Sequence, residues 1–442
     1  MSRLLESAAA VLTSNWKDSF TIPCEGLYPF QWNWDSGFIA IGWAHLNMAR
    51  AQSEIKSLLK GQWKNGFLPH IIFHNESDSY YPGPEVHAAH LSEHSPAIKT
   101  SGITQPPVLG FVLGELYQIA TDKDSMLDFI SEVFDAVYLN HQYFYTHRDP
   151  QNEGLVYICH NWEAGTDNTP VWDFIWETFE VPDYDLPRKD TQLIDASHRP
   201  TNAEYCYYIH LIELFKEWSY DDQLIARRSP FLIQDPLFNS MLIASNESLI
   251  ELGQLLGEEK KVAQLNSWNS KAIASMNTKL YDIKEKAYVY YDLRNERKLS
   301  FVSSSSFTPL FAGIPDASKA EALVSHFQKG RFSGRNHENY LCASFDPESE
   351  YFNSKKYWRG PIWINLNWII YRGLIKYGFK QEADTIKNDT LELITKYGFY
   401  EYFEPSKAEN ELLQKGYGGN NFSWSAALTI DLIKNDKTNE LA

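Results

Sequence analysis

Carboxylates set among aromatic rings and glycines are the residues of this sequence best suited to chemistry. The segment His160-Asn161-Trp162-Glu163-Ala164-Gly165-Thr166-Asp167-Asn168-Thr169-Pro170 holds two of them beside a tryptophan, and it has neither a helical nor a strand apolar period. A second segment, Phe399-Tyr400-Glu401-Tyr402-Phe403-Glu404-Pro405, sets Glu401 and Glu404 among rings and is followed by the glycine-rich stretch from Gly416 to Ser425. Paired carboxylates suit general acid and base work. Rings beside Asp, Asn, Gln and His suit a face that receives something flat and hydroxylated, such as a sugar. Structure alone accounts for part of this. Asp167-Asn168-Thr169-Pro170 is also a good turn and helix start, although that leaves Trp162 and Gly165 unexplained.

Four further clusters share this character. In Tyr28-Pro29-Phe30-Gln31-Trp32-Asn33-Trp34-Asp35-Ser36, two tryptophans alternate in an extended polar segment, and Asp35 is either the cap of the following helix or a grip for sugar hydroxyls. Gln62 to His70 is followed by Tyr80-Tyr81-Pro82-Gly83-Pro84. Gln105 is held extended by Pro106 before a helix whose first turn suits Pro107. Tyr357-Trp358-Arg359-Gly360-Pro361-Ile362-Trp363 again puts rings at a helix start. His87 and His90 beside Glu85 have a ligand-like spacing that nothing completes, so neither a metal nor a cofactor is expected.

The elements that must position these loops are helices. Apolar periodicity predicts them over 3–15, 36–59, 107–121, 125–143, 200–218, 237–256, 259–279, 318–328, 361–377, 380–396 and 422–434, with one short strand at 287–291. The long loops between them, 22–35, 61–106, 148–199, 329–360 and 399–421, hold nearly every unusual cluster, and loops of that length are usually functional. About a dozen helices fit an all-α double ring, an (α/α)6 barrel with the site in a cup at one mouth, or an irregular α-solenoid. No linker divides the chain, so one domain is expected over residues 1–442.

Composition narrows the function classes. Of 442 residues, 40 are basic and 57 acidic, for a net charge of −17, which disfavours nucleic acid and anionic membranes as partners. Four scattered cysteines are no disulfide scaffold, the N-terminus resembles an amphipathic helix rather than a leader, and no run is long enough to span a membrane. These features suggest a cytoplasmic protein with a small-molecule partner; whether it forms a homo-oligomer is left open.

Taken in order, QWNWDSGF, GITQPP, NWEAGTDNTP, YWRGPIW and FYEYFEP…NFSWSAAL resemble glycoside hydrolase family 63, within it the mannosylglycerate and glucosylglycerate hydrolases, from Tyr28 to Ser425. The resemblance implies an (α/α)6 barrel and an inverting mechanism with Asp167 as general acid and Glu401 as general base, Glu404 being the rival for the second role. It implies sugar contacts by Trp32, Trp34, Asp35, His70, Trp162, Trp358 and Trp363, and an aglycone pocket of Tyr28, Tyr80, Gln105, Arg199, Tyr205 and Tyr357. Arg199 is able to pair a substrate carboxylate by two parallel hydrogen bonds, or else to serve as a surface salt bridge or helix-start residue. The expected activity is hydrolysis of a small α-glucoside or α-mannoside with a glycerate-type aglycone. The alternatives are an α-glucosidase for neutral disaccharides or glucosylglycerol, a sugar isomerase or epimerase using paired histidines, and a non-catalytic carbohydrate binder.

Overall fold

Two kinds of helix alternate along the chain and are told apart by what they bury. The computed structural model describes residues 2–333, 338–409 and 414–435. Within them, twelve helices run to eleven residues or more: α1 (Ser2–Asn15), α2 (Asn33–Ala44), α3 (Met48–Leu59), α4 (Leu109–Ile119), α5 (Lys123–His147), α6 (Asn202–Glu217), α7 (Pro236–Leu256), α8 (Glu259–Ser275), α9 (Ala317–Gln328), α10 (Ile364–Lys376), α11 (Lys380–Tyr397) and α12 (Ser423–Lys434). Every residue of α2 is buried, and α10 and α12 are nearly as enclosed. By contrast α3 buries only the stripe formed by Ala51, Glu54, Ile55, Ser57 and Leu58. A helix apolar all round belongs inside a core, and one with a single stripe lies on its outside.

The enclosed helices form a closed ring. α2 packs on α4, α4 on α7, α7 on a 3-10 segment (Ser304–Leu310), that segment on α10, α10 on α12, and α12 back on α2. Outside it, α1 covers α12, α3 covers α2, α5 covers α4, α8 covers α7 and α11 covers α10, while α9 packs on α11. This is the (α/α)6 barrel. Closure depends on backbone approach: a Cβ on Gly42 of α2 would lie 2.5 Å from the Cα of Ala427 in α12.

Three sequence expectations are corrected. The helix expected over 36–59 is two helices, because Asn47 caps α3 with its side chain accepting from the Arg50 N–H at 3.2 Å. The sixth inner position is a 3-10 segment built on a serine run with Pro309 inside it, a sequence with no apolar period to signal a helix. The strand expected at 287–291 is two, Ala287–Tyr288 and Tyr290–Asp292, in separate small sheets. Of the predicted loops, residues 334–337 and 410–413 lie outside the described residues. Among the described residues, no helix is long and apolar enough to cross a membrane.

Candidate active site

The N-terminal ends of α2, α10 and α12 carry cavity residues, and the five long loops supply most of the rest. β1 (Gln31–Trp32) pairs antiparallel with β2 (Ile71–Ile72) and leads directly into α2. Trp32 is thus the last extended residue and occupies the helix N-cap position, while Trp34 and Asp35 fall in the first helical turn. Asp35 does not cap the helix, and the expected extended alternation of the two tryptophans is a strand-to-helix junction. Trp34 is fixed on both sides. Its N–H donates to Gln105 Oε1 at 3.2 Å, and Gly165 presses on its ring so closely that a Cβ there would lie 2.5 Å from a ring carbon. Gln105 stays outside the following helix, which begins at Leu109 rather than 107.

The two carboxylates of the 160–170 segment have separate fates. Glu163 is buried away from the cavity, paired with Arg148 at 3.2 and 3.3 Å and accepting the Cys159 N–H at 2.7 Å. Asp167 lines the cavity. Its backbone carbonyl accepts from Asn161 Nδ2 at 2.8 Å, and the next residue, Asn168, accepts the Trp358 N–H at 2.9 Å, so the Asp167 loop is tied to the tryptophan wall. In that wall Trp358 and Trp363 stack in parallel with centroids 3.6 Å apart, and Trp363 stacks on Tyr402 at 4.8 Å. Burial raises the Asp167 carboxyl to about 7, with Glu401 adding to the rise and Arg199 opposing it.

Glu401 sits at an irregularity in a hairpin. β3 (Tyr400–Phe403) pairs with β4 (Gly416–Asn420), and the register shifts between Tyr400↔Asn420 and Tyr402↔Tyr417. Such a bulge breaks the alternation and re-aims a side chain, here that of Glu401. Its Oε1 accepts from the Tyr28 hydroxyl at 2.8 Å and the Tyr357 hydroxyl at 3.2 Å, and its Oε2 accepts the Gly419 N–H at 3.0 Å. Burial raises its pKa, while Arg199 and these donors pull it back toward the ionised form. Glu404 is not in the cavity wall; Ser354, Tyr417 and the Ser406 N–H occupy its oxygens at 2.9, 3.1 and 3.2 Å.

One cavity is lined by all fifteen residues to which the family resemblance assigned a catalytic or substrate-contact role; Glu404, the rival base, is not among them. Asp35 is pushed well above the usual carboxylate range by burial and by the neighbouring Glu401 and Asp167. His70 hydrogen-bonds Ser101 Oγ through Nδ1 at 2.5 Å, and burial holds its ring neutral. His87 is buried behind His70, with ring centroids 5.6 Å apart, whereas His90 is exposed. Arg199 is not a surface salt bridge. It is buried, its Nε donates to Asp190 Oδ2 at 3.1 Å, its guanidinium lies 4.1 Å from the Tyr357 ring centre, and its Nη1 has no hydrogen-bond partner. With Nε committed to Asp190, the buried Nη1, 3.8 Å from Glu401 Oε1, is left without a hydrogen-bond partner. Sequence reasoning missed Asp190, Tyr81, Phe422 and Trp424 in the lining and Gly419 beneath Glu401. Asp190 carried no signal, since Arg188-Lys189-Asp190 reads as an ordinary solvated charge cluster.

Residues 28–425 match the family model described as the mannosylglycerate hydrolase MGH1-like glycoside hydrolase domain. The chain belongs to this family. It is therefore a glycoside hydrolase, and the resemblance to family 63 is borne out. A mannosylglycerate hydrolase from Rubrobacter radiotolerans is 36% identical over 97% of this chain and 96% of its own. A glucosylglycerate hydrolase from Mycolicibacterium hassiacum is 31% identical over 98% of each. The family 63 mannosylglycerate hydrolase of Thermus thermophilus, solved in complex with Tris and D-glycerate, superposes with a TM-score of 0.89 at 37% identity. That match covers 98% of this hydrolase and 100% of that chain.

Proposed function

We propose that this hydrolase, acting through one catalytic domain over residues 1–442, cleaves an α-glucoside or α-mannoside of glycerate with inversion at the anomeric carbon. The observation that carries the reading is that Asp167 and Glu401, more than 200 residues apart in sequence, line one tryptophan-walled cavity that also holds the buried Arg199, whose Nη1 has no hydrogen-bond partner.

Cleavage needs a protonated carboxyl at the leaving oxygen and an ionised carboxylate that activates water on the opposite face. In inverting enzymes the two are about 6.5–9.5 Å apart, leaving room for that water. Asp167, raised to about 7, keeps its proton through weakly acidic pH and suits the acid. Glu401 is surrounded by donors that favour its ionised form and suits the base. In one turnover Asp167 gives its proton to the glycerate oxygen as the C–O bond breaks. Water adds to the anomeric carbon from the far side, and Glu401 takes its proton. Asp35 and the tryptophan faces hold the sugar, and the Arg199 guanidinium takes the carboxylate of the aglycone. The names of the relatives support the glycerate aglycone. All four cysteines are free thiols, which supports a reducing, cytoplasmic setting.

The test is hydrolysis of glucosylglycerate, mannosylglycerate and a neutral α-glucobiose side by side, with proton NMR following the anomer first released. The β-anomer from a glycerate glycoside is expected; the α-anomer would sink the inverting assignment, and preference for the glucobiose would sink the glycerate one.

A further inference from the structure

Arg188 and Asp190 lie in the loop between Trp176 and α6, and the mechanism above uses neither. The Asp190 carboxylate takes a two-point grip from Arg188, whose Nε reaches Oδ1 at 3.0 Å and whose Nη2 reaches Oδ2 at 2.6 Å. The remaining nitrogen of Arg188, Nη1, donates to the Pro200 carbonyl at 2.6 Å and to Asn202 Oδ1 at 3.2 Å. Its guanidinium rests 3.8 Å from the ring centre of Tyr205 in the cavity wall. Every nitrogen of Arg188 is thus committed, and Asp190 is fixed from behind. Its Oδ2 then accepts from Arg199 Nε at 3.1 Å.

The consequence appears on the far side of Arg199. Its Nη1 is buried, has no hydrogen-bond partner, and stops 3.8 Å short of Glu401 Oε1, beyond hydrogen-bond reach. The two are in ion-pair contact without a hydrogen bond, and opposite charges in a poorly hydrated wall attract strongly at this range, so something must keep the guanidinium from closing further. The tether to Asp190 on one edge and the Tyr357 ring against one face restrain the guanidinium, while the Tyr28 and Tyr357 hydroxyls already occupy Glu401 Oε1.

We propose that Asp190, gripped by Arg188, is a positioning residue that holds the Arg199 guanidinium in the aglycone wall and off Glu401. The inference rests on Arg199 reading the aglycone carboxylate. Without Asp190 the guanidinium swings onto Glu401, and its unpartnered Nη1 is lost to the substrate.

Asp190→Ala and Asp190→Asn are assayed on the glycerate glycoside that the wild type prefers and on the α-glycosyl fluoride of the same sugar, which has no aglycone to read. For Asp190→Ala, KM for the glycerate glycoside is expected to rise about tenfold, with a smaller rise for Asp190→Asn, while KM for the fluoride stays within about twofold. Unchanged values for both substrates, or equal rises on both, would overturn the proposal. A crystal structure of folded Asp190→Ala or Asp190→Asn adds a readout free of any substrate. Arg199 Nη1 within hydrogen-bond distance of Glu401 supports the role, and Arg199 unmoved rejects it. Should the wild type show no preference for a carboxylate-bearing aglycone, the aglycone reading falls on its own, and that crystal structure still decides the role of Asp190.

Discussion

The Tyr28 hydroxyl donates to Glu401 Oε1 at 2.8 Å, joining the first long loop of the chain to the last. A hydrogen bond to a carboxylate favours its ionised form. Tyr28→Phe is therefore expected to raise the Glu401 pKa and move the acid limb of the rate profile upward by about half to one pH unit, since Tyr357 and Gly419 still donate. Profiles of kcat/KM for the two proteins check this; coincident acid limbs would remove Tyr28 from the control of Glu401.

Asp167 gives a coupled prediction for rate and stability. As the proposed acid it works while protonated, so activity is expected to fall as pH rises through about 7, and Asp167→Asn should lose roughly 10²- to 10⁴-fold in kcat. For stability the sign follows from proton binding. Between about pH 4 and pH 7 the folded protein keeps a proton that the unfolded chain, with an ordinary carboxyl near 3.9, has released. That proton excess makes folding progressively less favourable as pH rises through the window. Removing the charge should thus raise the melting temperature at pH 8, by the equivalent of about 1–3 kcal/mol, and change it little at pH 4. Thermal melts at the two pH values test it, and an equal shift at both would contradict the assignment.

Glu401 and Glu404 differ in what surrounds them, and so should their variants. Glu401→Gln is expected to abolish measurable turnover, whereas Glu404→Gln, whose oxygens only tie Ser354, Ser406 and Tyr417 together, should stay within about tenfold of wild type in kcat. Steady-state assays of both separate the roles, and the reverse pattern would move the base to Glu404.

Gly418 is confined twice. Its φ is +70°, and a Cβ would lie 2.1 Å from Glu401 Oε2. Gly418→Ala is expected to cost about 2 kcal/mol or more in stability and at least about tenfold in kcat. Gly257 has a similar φ of +75° but nothing within 4 Å. Gly257→Ala should therefore cost about 1 kcal/mol and leave kcat intact. Denaturation midpoints with kcat for the pair measure the difference.

The helices were legible because their apolar spacing is local information, and the cavity residues because rings and carboxylates in polar loops have few other uses. What the sequence hid depends on distant partners. The break between α2 and α3 turns on one asparagine side chain. The sixth inner position is a serine-rich 3-10 segment that reads as a loop until α7 and α10 are seen to flank it. Asp190 looks like any surface aspartate until two arginines close on it. Glu163 and Asp167, four residues apart, could be assigned different tasks only once Arg148 was found beneath the first.

The ring is sealed where α12 meets α1 and α2. Asn15, at the end of α1, donates from Nδ2 to the Asn421 carbonyl at 2.8 Å across 406 residues of sequence, and Gly42 meets Ala427. A growing polypeptide leaving the ribosome has no cup until α12 has emerged and docked against α1 and α2. Until that contact forms, the lining tryptophans and the flank of α2 stay open to water and to other chains.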